Sequence, residues 1–575
     1  MKRCCMVFGL LLLFQAASAQ KVLRNIDVIT SDGDSLATDI YIPNGNGSFP
    51  VILMRTPYDK SKRDYGDFFN KEGYVYIVQD VRGKYESSGE FRAWIDERLD
   101  GYETLDWIQA QPWCDGNIGL LGSSYSGYSA MQLAPSRHPA LKAIVNNSGP
   151  GDMYTVIYPG GVFHNTAILP WTMAITHNKT RYFPPYQTGL SINDLVEFKP
   201  LNDAFIKNNY VGTFWNYLIN HQTKDPYWQS INLSNYDKIS IPIQHITGWY
   251  DFICTSALDS YFEISGEQKK NLGETNQELI IGPWVHDAMK NGITKVGDTD
   301  FGEVVKVGKD RHYTEAVEFF DRYLKPDNTI SKSSPDLRIF ELGSNQWKSF
   351  NEWPATNPLN MYLSSTKGAN SLDGDGFLSE DISNERSIDK FTFDPENPVP
   401  TKGGANIHFA FFGEMLGIRD QRQIEKRNDV LVYTSNALKS KLNVLGKIKA
   451  HLYVSTDADD SDFTAKIVEV KEDGTANIIQ EGIQRLRFTD SFEKASFKKP
   501  GEVTAIEIDM GYISIEIQKG SQIRVEISGS NSPKYALNPN TKEDPMTTRT
   551  FKKANQSIFM SKDYPSRIVL PILQN

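Results

Sequence analysis

The sequence predicts an α/β domain on a mostly parallel sheet, interrupted by a helical cap and followed by a C-terminal all-β jelly-roll domain. From residue 21 to about 149, short apolar runs alternate with amphipathic stretches, as in strands and crossover helices. Residues 150–236 are aromatic-rich and are broken by Pro and Gly. Beyond residue 335, short β-branched runs separated by turn residues favour an antiparallel sandwich or jelly roll.

The α/β domain is predicted over residues 20–149 and 237–334, on either side of the cap at 150–236. The apolar runs that predict its buried strands are 51–54, 74–78, 118–121, 141–145, 241–246 and 278–281. Residues 96–110 have apolar positions among acidic ones and predict an amphipathic helix, and 313–323 predict a closing helix. In the jelly roll, predicted over 335–575, the strand candidates are 449–454, 463–470, 503–508 and 522–527.

The first nineteen residues predict a cleaved signal peptide, with export to the periplasm or the medium. Lys2 and Arg3 precede an apolar run at 6–14, and Ala-Ser-Ala at 17–19 is typical of a cleavage site. That run is too short to span a bilayer, which needs about 20 residues, and no later stretch is long and apolar enough. A membrane span is therefore not expected.

The net charge and the spacing of potential metal ligands limit the kinds of partner and cofactor that the sequence predicts. The chain has 61 Lys plus Arg against 71 Asp plus Glu, a formal net charge of −10, which argues against nucleic acid. His164, His177 and His221 lie in the predicted cap without zinc-type ligand spacing, so neither a metal nor another cofactor is expected. The sequence leaves the oligomeric state open, a homo-oligomer included.

A strand, a tight turn and a helix surround Ser124. Residues 118–121 lead into Gly-Ser-Ser-Tyr-Ser-Gly at 122–127, and a helix-compatible stretch follows. This context is typical of a nucleophile elbow, in which small residues let strand and helix approach each other. It selects Ser124 over Ser123 and Ser126, although Ser126 stands where the usual G-x-S-x-G motif has its second glycine.

Two further polar residues follow later predicted strands in the order that an elbow requires. Asp251 comes just after the run at 241–246, and His286 follows the run at 278–281. Since parallel strands end at one edge of a sheet, Ser124, Asp251 and His286 can converge there. His286 is predicted to act as the base and Asp251 to orient it.

An acyl-transfer site also needs donors for the oxyanion. The backbone N–H of Tyr125 is one by elbow geometry. The loop at 55–60 should supply the second, and because it lacks a glycine-rich run, the hydroxyl of Tyr58 is the candidate.

Several ordered motifs resemble the cocaine esterase and X-Pro dipeptidyl-peptidase family of α/β-hydrolases. They are Arg-Thr-Pro-Tyr-Asp-Lys at 55–60, Gln-Asp-Val-Arg-Gly at 79–83, Pro-Trp-Cys-Asp-Gly-Asn at 112–117, the Ser124 elbow, Gly-Trp-Tyr-Asp at 248–251, Gly-Pro-Trp-Val-His at 282–286, and residues 459–466 and 524–533 in the jelly roll. The resemblance implies an esterase or amidase with a tyrosine hydroxyl in its oxyanion hole, and a pocket framed by cap and jelly roll.

The resemblance also bears on the substrate. Family members that cleave α-amino acid esters hold the substrate ammonium with carboxylates, at places that here look like Phe252, Ile253 and the region of Gly161. These residues and Trp249 are predicted to line the substrate pocket. The sequence therefore predicts a small-molecule ester or amide with a neutral acyl group. Two alternatives stay open: an X-Pro dipeptidyl-peptidase acting on peptides, and a glycan- or ligand-binding protein with a vestigial hydrolase fold.

Overall fold

A computed structural model describes residues 21–176, 199–203, 213–289, 291–325, 336–407 and 410–574. The predicted signal peptide, part of the predicted cap with His177, and the predicted boundary at 334/335 lie outside these residues.

A ten-stranded sheet forms the α/β domain, in the order β1-β2-β4-β3-β5-β6-β7-β8-β11-β12. Its strands from β4 to β11 along this order are parallel, as the sequence predicts. The strands are β1 Lys21–Ile29, β2 Ser35–Ile42, β3 Phe49–Thr56, β4 Val75–Asp80, β5 Cys114–Ser123, β6 Leu141–Asn147, β7 Ile243–Tyr250, β8 Glu278–Val285, β11 Leu337–Glu341 and β12 Gln346–Phe350.

Both edges of this sheet carry antiparallel strands that the sequence pattern did not predict. β1 and β2 pair with each other and β2 pairs with β4, while β12 pairs with β11 at the opposite edge. The sheet therefore continues to Phe350, into the predicted jelly-roll range. A separate short ribbon consists of β9 Lys295–Val296 and β10 Thr299–Asp300.

The helices divide between the sheet and the cap. Along the α/β domain they are α1 Gly66–Lys71, α2 Glu97–Gln109, α3 Tyr125–Met131, α8 Cys254–Leu272 and α9 Gly308–Leu324, and in the cap α4 Met153–Ile157, α5 Asn165–Thr176, α6 Thr213–Asn220 and α7 Pro226–Ile231. Strands β4, β7 and β8 are buried at every position, as expected for parallel strands covered on both faces. No helix of the described ranges is long and apolar enough to span a membrane.

The C-terminal region is an eleven-stranded, mostly antiparallel sheet. Its strands are β13 Thr356–Ser364, β14 Phe377–Ser379, β15 Ser387–Phe393, β16 Leu431–Ser435, β17 Leu442–Thr456, β18 Asp462–Val470, β19 Ala476–Arg485, β20 Thr504–Ile517, β21 Gln522–Ser528, β22 Ala554–Met560 and β23 Arg567–Leu573. Each run of residues predicted as a strand there lies mostly within β17, β18, β20 or β21. The region contacts the α/β domain directly, because Gln480 donates to the Trp249 carbonyl at 3.2 Å.

Candidate active site

Ser124 lies in a sharp turn between β5 and α3. Its backbone is left-handed, with φ 57° and ψ −122°, a conformation that costs a non-glycine residue energy and is found at functional turns. Two glycines make the turn sterically feasible. A Cβ on Gly122 would lie 2.1 Å from the Ser126 carbonyl oxygen, and one on Gly127 would lie 2.6 Å from Asn146 Oδ1. The local sequence therefore allows strand and helix to meet closely at this serine.

Three side chains at the carboxyl edge of the sheet form a continuous hydrogen-bonded chain. His286 Nε2 lies 3.0 Å from Ser124 Oγ. His286 Nδ1 lies 2.9 and 3.0 Å from the two carboxylate oxygens of Asp251. Since a carboxylate only accepts, Nδ1 carries the proton in that contact and Nε2 is left to accept from the serine hydroxyl. The three residues predicted to converge are thus brought together in the predicted order.

The Asp251 carboxylate is held by two more donors. Ser148 Oγ donates to Oδ2 at 2.6 Å, and the backbone N–H of Ile253 donates to Oδ1 at 2.8 Å. The Phe252 ring packs edge-on against the His286 ring, with centroids 5.0 Å apart. Sequence reasoning missed Ser148, although it directly follows β6, between the strands that lead to Ser124 and Asp251. These contacts fix the orientation of the imidazole.

Tyr58 lies against the serine with its hydroxyl oriented by the cap. Trp171 Nε1 donates to the Tyr58 oxygen at 2.9 Å, so the phenolic proton is directed elsewhere. Tyr58 also has a hydrogen bond with Ser124. Burial raises the pKa of the Tyr58 hydroxyl, which therefore stays protonated at neutral pH. An O–H donor at this position could contact an oxyanion formed at Ser124.

Tyr125 contributes through its backbone rather than its ring. It begins α3 immediately after Ser124, which places its N–H at the elbow. Its hydroxyl donates to buried Glu97 at 2.9 Å and accepts from the backbone N–H of Trp94 at 3.0 Å. The ring is therefore anchored away from the reacting atoms, and the anchored side chain fixes the start of the helix.

One cavity beside Ser124, which we call the apolar cavity, has no charged side chain among its described lining residues. It contains Phe252 and Ile253, as predicted from the sequence. The lining residues are Tyr58, Trp94, Ser124, Tyr125, Tyr128, Pro150, Met153, Val156, Ala167, Ile168, Trp171, Phe252, Ile253 and Ile407. Six of these fourteen residues come from the predicted cap range, and most of the lining side chains are aliphatic or aromatic, which suits an apolar group attached to the reacting carbonyl.

A second cavity, the polar cavity, shares Tyr58, Ser124, Trp171 and Ile407 with the first and also reaches His286. Its described lining includes charged side chains, whereas that of the apolar cavity does not. Besides the shared residues and His286, it is lined by Met54, Arg63, Tyr65, Leu121, Gly122, Ser123, Ser126, Asp287, Asn291, Lys309, His312 and Tyr313. The two cavities thus meet at the serine with different chemistry.

Gly161 and Trp249 are the other two residues predicted to line the substrate pocket. Gly161 is buried under Phe488 of the C-terminal region, where a Cβ would lie 2.3 Å from the ring. Trp249 is fully buried, and its indole N–H donates to the Phe340 carbonyl at 2.7 Å. Neither lines the two cavities at Ser124. Trp249 instead lines a third cavity with Asp251, Phe252 and Gly160, the neighbour of Gly161, and residues of the C-terminal region complete that cavity.

The C-terminal region completes the site through Asn406 and Ile407. The Asn406 N–H donates to the Tyr250 carbonyl at 2.9 Å, and the His286 N–H donates to the Asn406 carbonyl at 3.3 Å. Thr166 of the cap donates to Asn406 Oδ1 at 3.1 Å. Ile407 can therefore line both cavities. No cluster of three or more potential metal ligands occurs in the described part of the chain.

Two protein-family models match this chain, one over the α/β domain and cap and the other over the C-terminal region. The family model described as X-Pro dipeptidyl-peptidase (S15 family) matches residues 32–288. The model described as X-Pro dipeptidyl-peptidase C-terminal non-catalytic domain matches residues 328–569. They confirm the predicted fold class, an α/β-hydrolase-type domain followed by an all-β domain.

Similar proteins match over nearly the whole chain. An aminopeptidase from a marine sediment Thaumarchaeota archaeon and an α-amino acid ester hydrolase each superpose with a TM-score of 0.83 at 24% identity, covering 96% of this chain and 97% and 96% of theirs. Cocaine esterase from Rhodococcus sp. (strain MB1 Bresler) is 32% identical over 585 residues, covering 96% of this chain and 99% of the relative. The chain therefore belongs to the cocaine esterase and X-Pro dipeptidyl-peptidase (S15) family and is a serine hydrolase.

Proposed function

We propose that this serine hydrolase cleaves carboxylic esters or amides with neutral acyl groups, using Ser124 as nucleophile, His286 as base and Asp251 as its orienting acid. The observation that carries the proposal is the hydrogen-bonded chain from Asp251 to Ser124 beside a cavity with no charged side chain among its described lining residues.

The proposed reaction follows from these contacts. His286 Nε2 takes the Ser124 proton as Oγ attacks the carbonyl carbon, and the Asp251 carboxylate stabilises the imidazolium. The Tyr58 O–H and the Tyr125 N–H donate to the oxyanion. His286 then protonates the leaving alcohol or amine as the carbonyl re-forms. A water, deprotonated by the same histidine, releases the acid from the acyl-enzyme.

The apolar cavity favours a neutral acyl group over an α-ammonium. An ammonium buried there would have no carboxylate partner among the described lining residues. A penalty of about 2 to 3 kcal/mol corresponds to roughly 30- to 150-fold in kcat/KM. The same lack of a carboxylate partner disfavours X-Pro dipeptidyl-peptidase activity, because such an enzyme must bind the free N-terminus of its substrate.

The test compares a phenylacetyl ester with the phenylglycyl ester of the same alcohol, at a pH where the amine is charged, together with an X-Pro anilide. We expect the phenylacetyl ester to be hydrolysed about 30- to 150-fold more efficiently. The Ser124→Ala variant, purified identically, controls for contaminating hydrolases. If the phenylglycyl ester or the X-Pro anilide is the better substrate, the neutral-acyl proposal is wrong. A wild-type protein that a fluorophosphonate fails to label would instead support the vestigial alternative.

Export is the second part of the proposal. Lys2 and Arg3, the apolar run at 6–14 and Ala-Ser-Ala at 17–19 support a signal peptide cleaved before Gln20, with the mature enzyme secreted or periplasmic. Amino-terminal sequencing of the protein from the periplasm or medium should begin at Gln20. Recovery of an uncleaved chain in the cytoplasm alone would contradict it.

A further inference from the structure

The polar cavity is the place for the leaving group, if the proposed mechanism holds. His286 must protonate the departing oxygen or nitrogen, so that atom has to lie next to the imidazole. Of the two cavities, the polar one is lined by His286 and the apolar one is not. With the acyl group in the apolar cavity, the leaving group faces Arg63, Tyr65, Asp287, Lys309 and their neighbours in the polar one.

Arg63 is the inner cation of this wall. It is half-buried, and its guanidinium carbon lies 5.8 Å from the centre of the Tyr58 ring. The guanidinium has a hydrogen bond with Tyr65. Among the described residues, no carboxylate lies within ion-pair distance of Arg63. A guanidinium has five N–H donors in a planar fork, which leaves donors for a ligand.

Lys309 is the outer cation of the same wall. It lies in the first turn of α9 and is exposed at the mouth of the cavity, near Tyr65. Lys309, like Arg63, forms no ion pair with a carboxylate of the described ranges. By contrast, Lys60, which precedes Arg63 in the same loop, pairs with Asp80 at 3.2 Å. The polar cavity therefore has two cationic side chains that no described carboxylate pairs with.

Asp287 is the one carboxylate among the described residues of the polar cavity. It follows His286 in the sequence, and it already takes part in an interaction of its own. Its charge acts on Arg63 without forming a close pair with it. The described lining thus has two cations, Arg63 and Lys309, against one anion. That balance favours an anionic group on the substrate over a cationic one.

We propose that the polar cavity binds a carboxylate carried by the leaving group, with Arg63 as its bidentate partner and Lys309 attracting it at the mouth. The substrates would then be neutral acyl esters of hydroxy acids or acyl amides of amino acids. Arg63 suits this role because its fork matches the two oxygens of a carboxylate. The inference rests on the proposed function, since it requires the acyl group to occupy the apolar cavity.

The experiment uses two aryl esters that differ only in the charge of the leaving group. One is the phenylacetate ester of 3-hydroxybenzoate, and the other is that of 3-hydroxybenzamide. We expect kcat/KM of the full-length wild-type enzyme to be roughly 10-fold or more higher for the carboxylate ester, the scale of a charge-assisted hydrogen bond. Arg63→Met should reduce this preference to about 2-fold or less. Arg63→Lys should retain part of it, because charge is kept and the fork is lost.

Two further variants separate a local contact from a general field effect. Lys309→Met should lower the preference by only about 2- to 3-fold, since Lys309 is exposed. Lys270→Met removes the same charge from an exposed lysine that pairs with Glu267 on α8, and should leave the preference unchanged. Each result is the ratio of kcat/KM for the two esters. If Arg63→Met displaces Tyr58 and lowers kcat/KM equally for both esters, that loss does not change the ratio.

The outcomes distinguish this inference from the proposed function. If neither ester is hydrolysed, the proposed neutral-acyl activity fails. If both are hydrolysed with equal kcat/KM by the wild type, the carboxylate subsite is wrong while the proposed function stands. A third ester, with 3-(aminomethyl)phenol as leaving group, tests the opposite charge. If it is the fastest of the three, Asp287 dominates the cavity and the inference is overturned.

Discussion

The two cavities that meet at Ser124 differ in what builds them as well as in their chemistry. The apolar cavity takes its wall mainly from the cap and from aromatic residues such as Trp94. The polar cavity takes its charged residues from the loops after β3 and β8, with Arg63 and Asp287, and from the start of α9, with Lys309. Among the described lining residues, four belong to both cavities: Tyr58, Ser124, Trp171 and Ile407. If the proposed function holds, the acyl group and the leaving group are recognised by different sets of residues around one shared centre, and a substitution in one cavity should leave recognition in the other unchanged.

Removing Ser124, the proposed nucleophile that lines both cavities, should abolish hydrolysis of every substrate. Ser124→Ala is expected to lower turnover by roughly 10⁶-fold and to prevent fluorophosphonate labelling, while leaving the circular dichroism spectrum unchanged. Ser123→Ala, a matched change one residue earlier, should keep its labelling. Labelling of the Ser124→Ala variant, or loss of labelling only in Ser123→Ala, would place the nucleophile elsewhere.

Tyr58 is the next shared residue, and its hydroxyl should matter for every substrate. Tyr58→Phe is expected to lower kcat by roughly 10²- to 10³-fold with little change in KM, because an oxyanion donor acts in the transition state. The loss should be equal for the carboxylate and carboxamide esters. Tyr65→Phe removes a hydroxyl from the polar cavity only and should lower kcat far less. Near-normal kcat in Tyr58→Phe would show that the second donor lies elsewhere.

The shared centre is also the part of the site that sequence alone predicts best. Ser124, Asp251 and His286 each follow an apolar strand in one parallel sheet, so their convergence is a consequence of local pattern and topology. Tyr58 lies in a loop of the same kind. The parallel strands β3 to β8 were predicted for the same reason, since continuous apolar runs mark buried strands.

The walls of the cavities were less predictable because they depend on contacts distant in sequence. Ile407 reaches Ser124 from the C-terminal region, and no local pattern marks it. Trp171 lies in the cap, where the spacing of aromatic residues does not distinguish core positions from pocket-lining ones. Gly161 and Trp249 were predicted as pocket residues from motif position, but neither lines the two cavities at Ser124: Gly161 packs under Phe488, and the Trp249 indole donates to the Phe340 carbonyl. Antiparallel edge strands such as β12 were missed because short, partly exposed runs carry a weak signal.

A carboxylate introduced into the apolar cavity should weaken the difference between the two cavities, because both would then have a charged wall. Ile253→Asp adds one charge where the lining has none among its described residues, and gives an α-ammonium a partner. The preference for phenylacetyl over phenylglycyl ester should fall by roughly 10- to 150-fold, the range of a hydrogen bond between charged groups. Ile253→Asn, of nearly the same shape as the Asp variant but uncharged, should change the preference much less. An equal shift in both variants would show that shape, not charge, sets the acyl preference.

The smallest expected effect concerns Trp171, which lines both cavities and is expected to act through Tyr58. Its indole N–H donates to the Tyr58 oxygen at 2.9 Å, so Trp171→Phe removes the bond that directs the phenolic proton away from the cap. The loss of one neutral hydrogen bond, about 0.5 to 1.5 kcal/mol, corresponds to roughly 2- to 10-fold in kcat.

A double variant tests whether Trp171 acts through Tyr58. If it does, Trp171→Phe should have no further effect on kcat in a Tyr58→Phe background, because the bond has already lost its acceptor. Losses that multiply in the double variant would instead mean that Trp171 contacts the substrate in its own right. In that case its effect should differ between substrates that fill the two cavities differently, which the paired acyl and leaving-group esters can detect.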